Sequence, residues 1–310
     1  MAYDIIGDIH GQADKLHGLL AHMGYAETGG AYRHPSRKAI FVGDFIDKGP
    51  QQLESVLTVR RMLDAGTALA VMGNHEFNAV AWHTPDESQP GEFLRPHGGS
   101  WGEGNRKQHA VFLAAVECKP ALHQEIVDWF LTLPLWLDLP GLRVVHACWH
   151  DGYMQQLKPH LTAMNQLTPE LMWAASQSGR MEYVAVEGLT KGLEVRLPDG
   201  HAFSDKYGQT RRNVRIQWWN AQASTYRELA LWPDGTREQL PAVPLSLDAR
   251  SPYDNTKPVF FGHYWMKGTP MVQTPTAACV DYSAADDGPL IAYRWDGEHA
   301  LINSNFTQVG

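Results

Sequence analysis

The chain is poor in several features that would narrow its class. It has three cysteines in 310 residues, Cys118, Cys148 and Cys279. They are far apart, odd in number and form no C-x-x-C pair, so neither a zinc ribbon nor a disulfide framework is expected. No apolar run approaches the roughly 18 residues needed to cross a bilayer. The first residues show no basic segment followed by an apolar stretch, so a secretory leader is not expected either. Basic residues are outnumbered, with 26 Lys and Arg against 34 Asp and Glu and a formal net charge of −8. That balance argues against a general nucleic-acid or membrane-surface binder, which needs positive charge. The loops G-x-G-x-x-G and G-x-x-x-x-G-K-[ST] are both missing, which disfavours dinucleotide-binding and P-loop enzymes. A cytoplasmic protein is the expectation these absences leave.

What is present describes an ordinary folded chain, 44% hydrophobic and 19% charged. Residues 3–7 (YDIIG), 38–43 (KAIFVG) and 67–73 (TALAVMG) read as short buried strands. Between them lie two amphipathic helices. One, at about 12–23, carries Leu16, Leu19, Leu20 and Met23; the other, at about 51–65, carries Leu53, Val56, Leu57 and Leu63. The order β-α-β-α-β is that of a largely parallel sheet with covering helices. A helix at about 122–133 and a strand at 142–147 (LRVVHA) follow, and strand signals return from 258 (PVFFGH, AACVDYS, PLIAYRW, HALINS). The apolar pattern weakens from about 150 to 250. Residues 1–310 are therefore read as one domain with a large insertion or lid in that interval.

The early strands end alike: Gly7-Asp8-Ile9-His10-Gly11, Gly43-Asp44-Phe45-Ile46-Asp47 and Gly73-Asn74-His75-Glu76. Two later strands end in Val145-His146 and Gly262-His263. Ligands of open α/β sheets sit at the carboxyl ends of strands. Taken singly, each motif is a turn whose aspartate caps the next helix. Repeated at five strand ends, the motifs aim carboxylates and imidazoles at one place. Charged groups are seldom buried unless they are paired or hold a metal, so Asp8 and His10 read as metal ligands.

In that order, GDIHG, GDFIDKG, GNHE, VHA and GH resemble the calcineurin-like metallophosphoesterases. Within them the phosphoprotein-phosphatase branch, which includes bacterial diadenosine tetraphosphatases, is the nearer match, and CVDYSAADDGPLIAYRW resembles its closing strands. The resemblance covers about 1–150 and 255–300. It implies an α/β fold, with two mixed β-sheets packed as a sandwich between flanking helices. It also implies two divalent metal ions, the first held by Asp8 and His10, the second by Asn74, His146 and His263, with Asp44 bridging both. Mixed oxygen and nitrogen ligands suit Mn first, then Fe, Zn, Ni or Mg, over an all-oxygen calcium site. Ions roughly 3.5–4 Å apart clamp the attacking and leaving oxygens of a phosphoryl group. The implied reaction is attack of a metal-bound hydroxide on a phosphate monoester, as in Ser/Thr protein phosphatases. The resemblance also implies His75 as the general acid, oriented by Asp47.

The alternatives are a symmetric dinucleoside tetraphosphate hydrolase, another nucleotide phosphohydrolase, or a non-catalytic binding scaffold. The partner is thus a phosphorylated small molecule, a nucleotide or a phosphoprotein. The family's GDxxDRG reads GDFIDKG here, so Lys48 stands where an arginine grips phosphate, with a point charge instead of a bidentate fork. GHYW carries a single histidine, which fits the phosphatase branch.

Within the insertion, Arg211, Arg212 and Arg215 lie beside Trp218 and Trp219 in an otherwise acidic chain. Set against a solvated basic turn, the functional reading makes one of them a second phosphate clamp. Trp149, His150, Trp218, Trp219 and Trp265 are candidates for stacking on a nucleobase, set against ordinary packing. Gly98–Gly102 matches the G-x-S-x-G elbow, but with Pro96 and no strand before it the segment reads as a loop near the pocket. His17, His22, His109 and His123 lack ligand spacing and read as surface residues.

Overall fold

Short apolar strands with alternating side chains build two mixed sheets that face each other. The computed structural model describes residues 2–204, 209–231, 237–246 and 253–310. The strands of these two sheets are β1 (Ala2–Ile6), β2 (Arg37–Phe41), β3 (Ala68–Ala70), β4 (Trp136–Asp138), β5 (Arg143–Val145), β6 (Val259–Phe261), β7 (Ala277–Cys279), β8 (Leu290–Trp295) and β9 (Phe306–Val309). One sheet has the order β9-β8-β1-β2-β3, the other β7-β6-β5-β4. In the first, β1, β2 and β3 are parallel and β8 is antiparallel to its neighbours β1 and β9. In the second, β5, β6 and β7 are parallel and β4 is antiparallel.

Successive side chains of a strand point to opposite faces, and each sheet uses both. Ile5, Ile40 and Val42 meet Val144, Phe260 and Ala278 in the layer between the sheets. Their neighbours Ile6, Phe41, Val145 and Phe261 belong to the larger core beneath the helices. The chain thus forms the expected sandwich flanked by helices. Asp4 is the polar exception inside β1, fully buried. It accepts hydrogen bonds from Tyr25 Oη at 3.0 Å, Arg37 Nε at 2.9 Å and Arg294 Nε at 3.1 Å.

Helices Ala13–His22 and Gln52–Asp64 connect the parallel strands of the first sheet, and helix Asn74–His83 starts directly after Gly73. The expected loop after GNHE is instead an 18-residue helix, Gly99–Val116, so the G-x-S-x-G stretch forms a helix start and Ser100 is exposed. Its first turns are rich in glycine, a poor helix former, and the buried face lies in its second half at His109, Phe112 and Val116.

In the 150–250 interval, helices Asp151–Leu157, Pro169–Ser176 and Met181–Lys191 send Leu157, Met172, Val186 and Leu189 into the main core. Leu197, Val214, Tyr226, Ala230 and Leu240 form a small cluster of their own. Residues 205–208, 232–236 and 247–250 of the interval lie outside the described residues. Among the described residues, no helix is long and apolar enough to cross a membrane.

Candidate functional site

The ends of β1, β2, β3, β5 and β6 meet at one edge of the sandwich, and the backbone there is bent into place. Ile9 and His10 both donate their N–H to Asp44 O, at 3.1 and 2.8 Å, which stitches the first loop to the second. His10, Asp44, Asp47, Lys48, His263 and Trp265 all have positive φ, between 49° and 76°. Left-handed backbone costs a residue with a Cβ on the order of 1 kcal/mol or more, and such strain gathers at working sites. Glycine is required at two of the turns. A Cβ on Gly43, at φ 101°, would lie 2.5 Å from Gly73 N, and one on Gly262 would lie 2.0 Å from Asp8 Oδ1.

Asp44 sits at the centre, 1% exposed. Its Oδ2 lies 3.3 Å from His146 Nε2, 3.6 Å from His10 Nε2 and 3.9 Å from His75 Nε2. Its Oδ1 accepts the His75 N–H at 3.0 Å. His10 Nδ1 donates to Ile46 O at 2.8 Å and His146 Nδ1 to Val42 O at 2.7 Å. A carbonyl only accepts, so Nδ1 carries a hydrogen in each ring, and Nε2 is the atom turned toward Asp44. Asn74 Oδ1 lies 3.2 Å from His146 Nε2. Asp8 Oδ2 accepts the His263 N–H at 3.0 Å.

Four buried atoms of this cluster have no hydrogen-bond partner: Asp8 Oδ1, His10 Nε2 and both ring nitrogens of His263. A buried polar atom left alone costs about 1–3 kcal/mol. Among the described residues, His10, Asp44 and His75 bring ligand atoms within 4.8 Å of one another, and so do Asp44, His146 and His263. Orphaned nitrogen and carboxylate donors, converging from several strands, fit divalent transition-metal ions. Asp44 is common to both groups.

The electrostatics follow from this crowding. Burial alone would raise the Asp44 carboxyl, but the charges of His146 and His75 outweigh it and hold Asp44 well below the usual range. Burial would lower His146, yet the Asp44 charge and hydrogen bond raise it to about 10. Burial and the neighbouring His75 lower His10 to about 4. Burial and the charge of Asp281 push Asp8 well above the carboxylate range.

His75 is tied differently. Its Nδ1 lies 2.5 Å from Asp47 Oδ2. Burial alone would lower it, but the Asp44 charge and the Asp47 bond raise it above the ordinary histidine value. Asp47 is itself anchored: its N–H donates to Gln52 Oε1 at 2.7 Å, and its Oδ1 accepts from His109 Nδ1 at 2.8 Å. His109 is therefore no surface residue, being 3% exposed. His17 and His123 are half-buried, and His22 is exposed as expected.

Two further carboxylates escape the motif reading. Glu76 accepts the N–H groups of Asp44, Phe45 and Gly73 at 2.7, 2.8 and 3.0 Å, and burial with the Asp44 charge raises it to about 7. Asp281 accepts from Trp265 N and Ser283 N at 2.7 and 3.0 Å, and burial raises it to about 6. Asp281 follows β7 by two residues, as Asp8 follows β1, so the strand-end criterion could have found it.

The cations divide. Lys48 is half-buried and sets its Nζ 3.1 Å from the centroid of the Trp265 ring. Arg215 lies on the short strand Asn213–Arg215, with its Nε buried and unpartnered. Its charge, after burial, lowers His263. Arg211 and Arg212 are exposed, and Arg212 lines a separate cavity with Arg196 and His201. The structure thus brings Arg215 to the cluster and leaves the other two outside it. Trp218 and Trp219 are core residues, packed on Phe261 with ring centroids at 4.9 Å, and Trp218 Nε1 donates to Ala147 O at 3.0 Å. Trp149 is buried beneath the Arg143 guanidinium. Of the expected stacking rings, Trp265 is the exposed tryptophan.

Parts of the chain are similar to known proteins. The family model described as calcineurin-like phosphoesterase matches residues 1–174. The asymmetrical bis(5'-nucleosyl)-tetraphosphatase PrpE of Oceanobacillus iheyensis is 38% identical over 158 residues, which is 51% of this chain and 58% of that protein. The protein of the same name from Halalkalibacterium halodurans is 45% identical over 76 residues, 24% of this chain and 31% of that one. The chain thus spans less than two thirds of the length of these curated relatives.

Among solved structures, a protein serine/threonine phosphatase from Saccharomyces cerevisiae aligns with a TM-score of 0.51 at 16% identity, covering 99% of this chain and 79% of that one. The cold-active protein-tyrosine phosphatase of a psychrophilic Shewanella aligns at 0.50 and 14% identity, covering 100% and 80%. At such identities the common property is the fold.

Proposed function

The chain belongs to the calcineurin-like phosphoesterase family, and from that premise we propose that it is a metal-dependent phosphohydrolase that cleaves dinucleoside polyphosphates asymmetrically. The observation that carries the catalytic reading is the set of orphaned inward donors on Asp8, His10 and His263, gathered around Asp44 beside His75. Asp8, His10 and Asp44 would hold one ion, and Asp44, Asn74, His146 and His263 the other, with Mn²⁺ the leading choice. When bound, such ions supply Lewis-acid polarisation of phosphoryl oxygens and lower the pKa of a water molecule toward neutrality.

The chain's own residues do the rest. Asp47, fixed by Gln52 and His109, holds His75 by Nδ1 and, with the Asp44 charge, raises its pKa, so Nε2 can hand a proton to the departing oxygen. Lys48 and Arg215 balance phosphate charge that the ions do not neutralise. The names of the curated relatives support a dinucleoside tetraphosphate over the phosphate monoester expected from the motifs.

The test is product analysis with diadenosine tetraphosphate, run beside p-nitrophenyl phosphate and a phosphopeptide in Mn²⁺. The expected products are one adenosine monophosphate and one adenosine triphosphate. Two molecules of adenosine diphosphate would establish symmetric cleavage instead. A higher kcat/KM for the monoester or the phosphopeptide would return the protein to the phosphatase reading.

A further inference from the structure

Beside the cluster, one large aromatic ring reaches the surface. Trp265 is 40% exposed, while its neighbour Tyr264 is buried in the core with Trp218 and Trp219. Its backbone is left-handed, with φ 50°, and its N–H is pinned to Asp281 Oδ2 at 2.7 Å. Bulky residues seldom take that conformation, so the loop spends stability to hold the ring there. Trp265 is two residues beyond His263, which places it at the rim of the cluster.

One face of the ring carries the Lys48 ammonium, 3.1 Å from the centroid. Lys48 is left-handed too, at φ 76°, and directly follows Asp47. The carboxylates of Asp286, Asp281, Asp44 and Asp8 all attract that ammonium. A cation–π contact at a partly exposed site is weak, and a phosphate dianion offers an ammonium a stronger partner. Base–aromatic stacking needs a ring face that is free.

Resting on the substrate reading above, we propose that Trp265 is a nucleobase platform capped by Lys48: phosphate at the cluster draws the Lys48 Nζ off the ring, and the base of the same nucleotide takes the uncovered face. The cap then couples base recognition to phosphate recognition. A phosphate ester without a base gains one contact, whereas a nucleotide gains both.

Binding of adenosine 5'-monophosphate and of ribose 5-phosphate to the Mn²⁺-loaded protein, measured by calorimetry, tests this without turnover. The two ligands share sugar and phosphate and differ in the base. The wild type is expected to prefer the nucleotide by about 5- to 150-fold, the range for one stacked base. Trp265→Ala should abolish the preference, and Trp265→Phe should keep most of it, which separates ring loss from misfolding. Lys48→Ala should weaken both ligands, which lose the ammonium on their phosphate, and should strengthen adenosine, which has no phosphate to draw the cap off the ring. Equal affinity for the two ligands in the wild type, failure of both to bind, or a preference that survives Trp265→Ala would overturn the platform. Adenosine that binds the wild type and Lys48→Ala equally well would overturn the cap. A clear base preference in a protein that leaves diadenosine tetraphosphate intact would overturn the substrate reading and keep the platform.

Discussion

His109 Nδ1 donates to Asp47 Oδ1 at 2.8 Å, across 62 residues of sequence. The other oxygen of the same carboxylate receives His75. Asp47 thus stands between two imidazoles, and its hydrogen bonds to His109 and His75 hold it below the usual carboxylate range despite burial. A carboxylate fixed on both sides cannot rotate, and neither can the ring it holds.

His109→Ala should therefore lower kcat by about tenfold, the scale of one charge-assisted hydrogen bond. The loss should grow as the leaving group worsens, because protonation of the departing oxygen is what suffers. His109→Asn offers an amide N–H in place of the imidazole and should recover most of the rate. A series of aryl phosphates of increasing leaving-group pKa is the check. A loss that is the same for every leaving group would make His109 a packing residue.

His75→Asn should cost about 10²–10⁴ in kcat, the usual contribution of a positioned acid, with metal content near normal by elemental analysis. Good leaving groups should feel it least. A variant that comes out metal-free would turn His75 from acid into ligand, as its place in the group with His10 and Asp44 allows.

Proton and metal compete for His146 Nε2. The Asp44 charge raises His146 to about 10 against its burial, so near pH 7 the ring holds a proton that an ion must displace. Since the proton is bound below that value and released above it, apparent Mn²⁺ affinity should rise with pH from 6 to 9. Calorimetry in two buffers of different ionisation enthalpy should register protons released on binding. Affinity that stays flat over this range, with no proton release, would contradict the assignment of His146 as a ligand.

The arginines of the insertion should separate. Arg215→Ala is expected to raise KM and lower kcat/KM by roughly 10- to 100-fold, the scale of a charge-assisted phosphate contact. Arg211→Ala and Arg212→Ala should stay close to wild type. Equal effects at all three positions would place phosphate recognition elsewhere on the insertion.

Legibility followed sequence distance. The strand-end motifs could be read because strand, glycine and polar residue are contiguous, and a parallel sheet carries such ends to one edge. His109 could not, because its partner is set by how helix Gly99–Val116 docks. In the sequence it is one histidine on an apolar stripe with Phe112 and Val116. That helix was itself hidden by its glycine-rich start. Trp218 and Trp219 looked like surface stackers beside three arginines, yet Phe261 and Tyr264 arrive from a distant strand and loop to bury them. Arg215 differs from Arg211 and Arg212 through the pairing of its strand with Glu194–Arg196, which spacing alone does not reveal.

Asp44 is the carboxylate common to both candidate metal groups. Hydrolysis of diadenosine tetraphosphate should be followed after chelation, after return of Mn²⁺, and in Asp44→Asn beside His10→Ala and His263→Ala. Activity should be absent in chelator, recover with Mn²⁺, and fall further in Asp44→Asn than in either histidine variant. Full activity in excess chelator, or equally small losses at all three positions, would contradict that shared role.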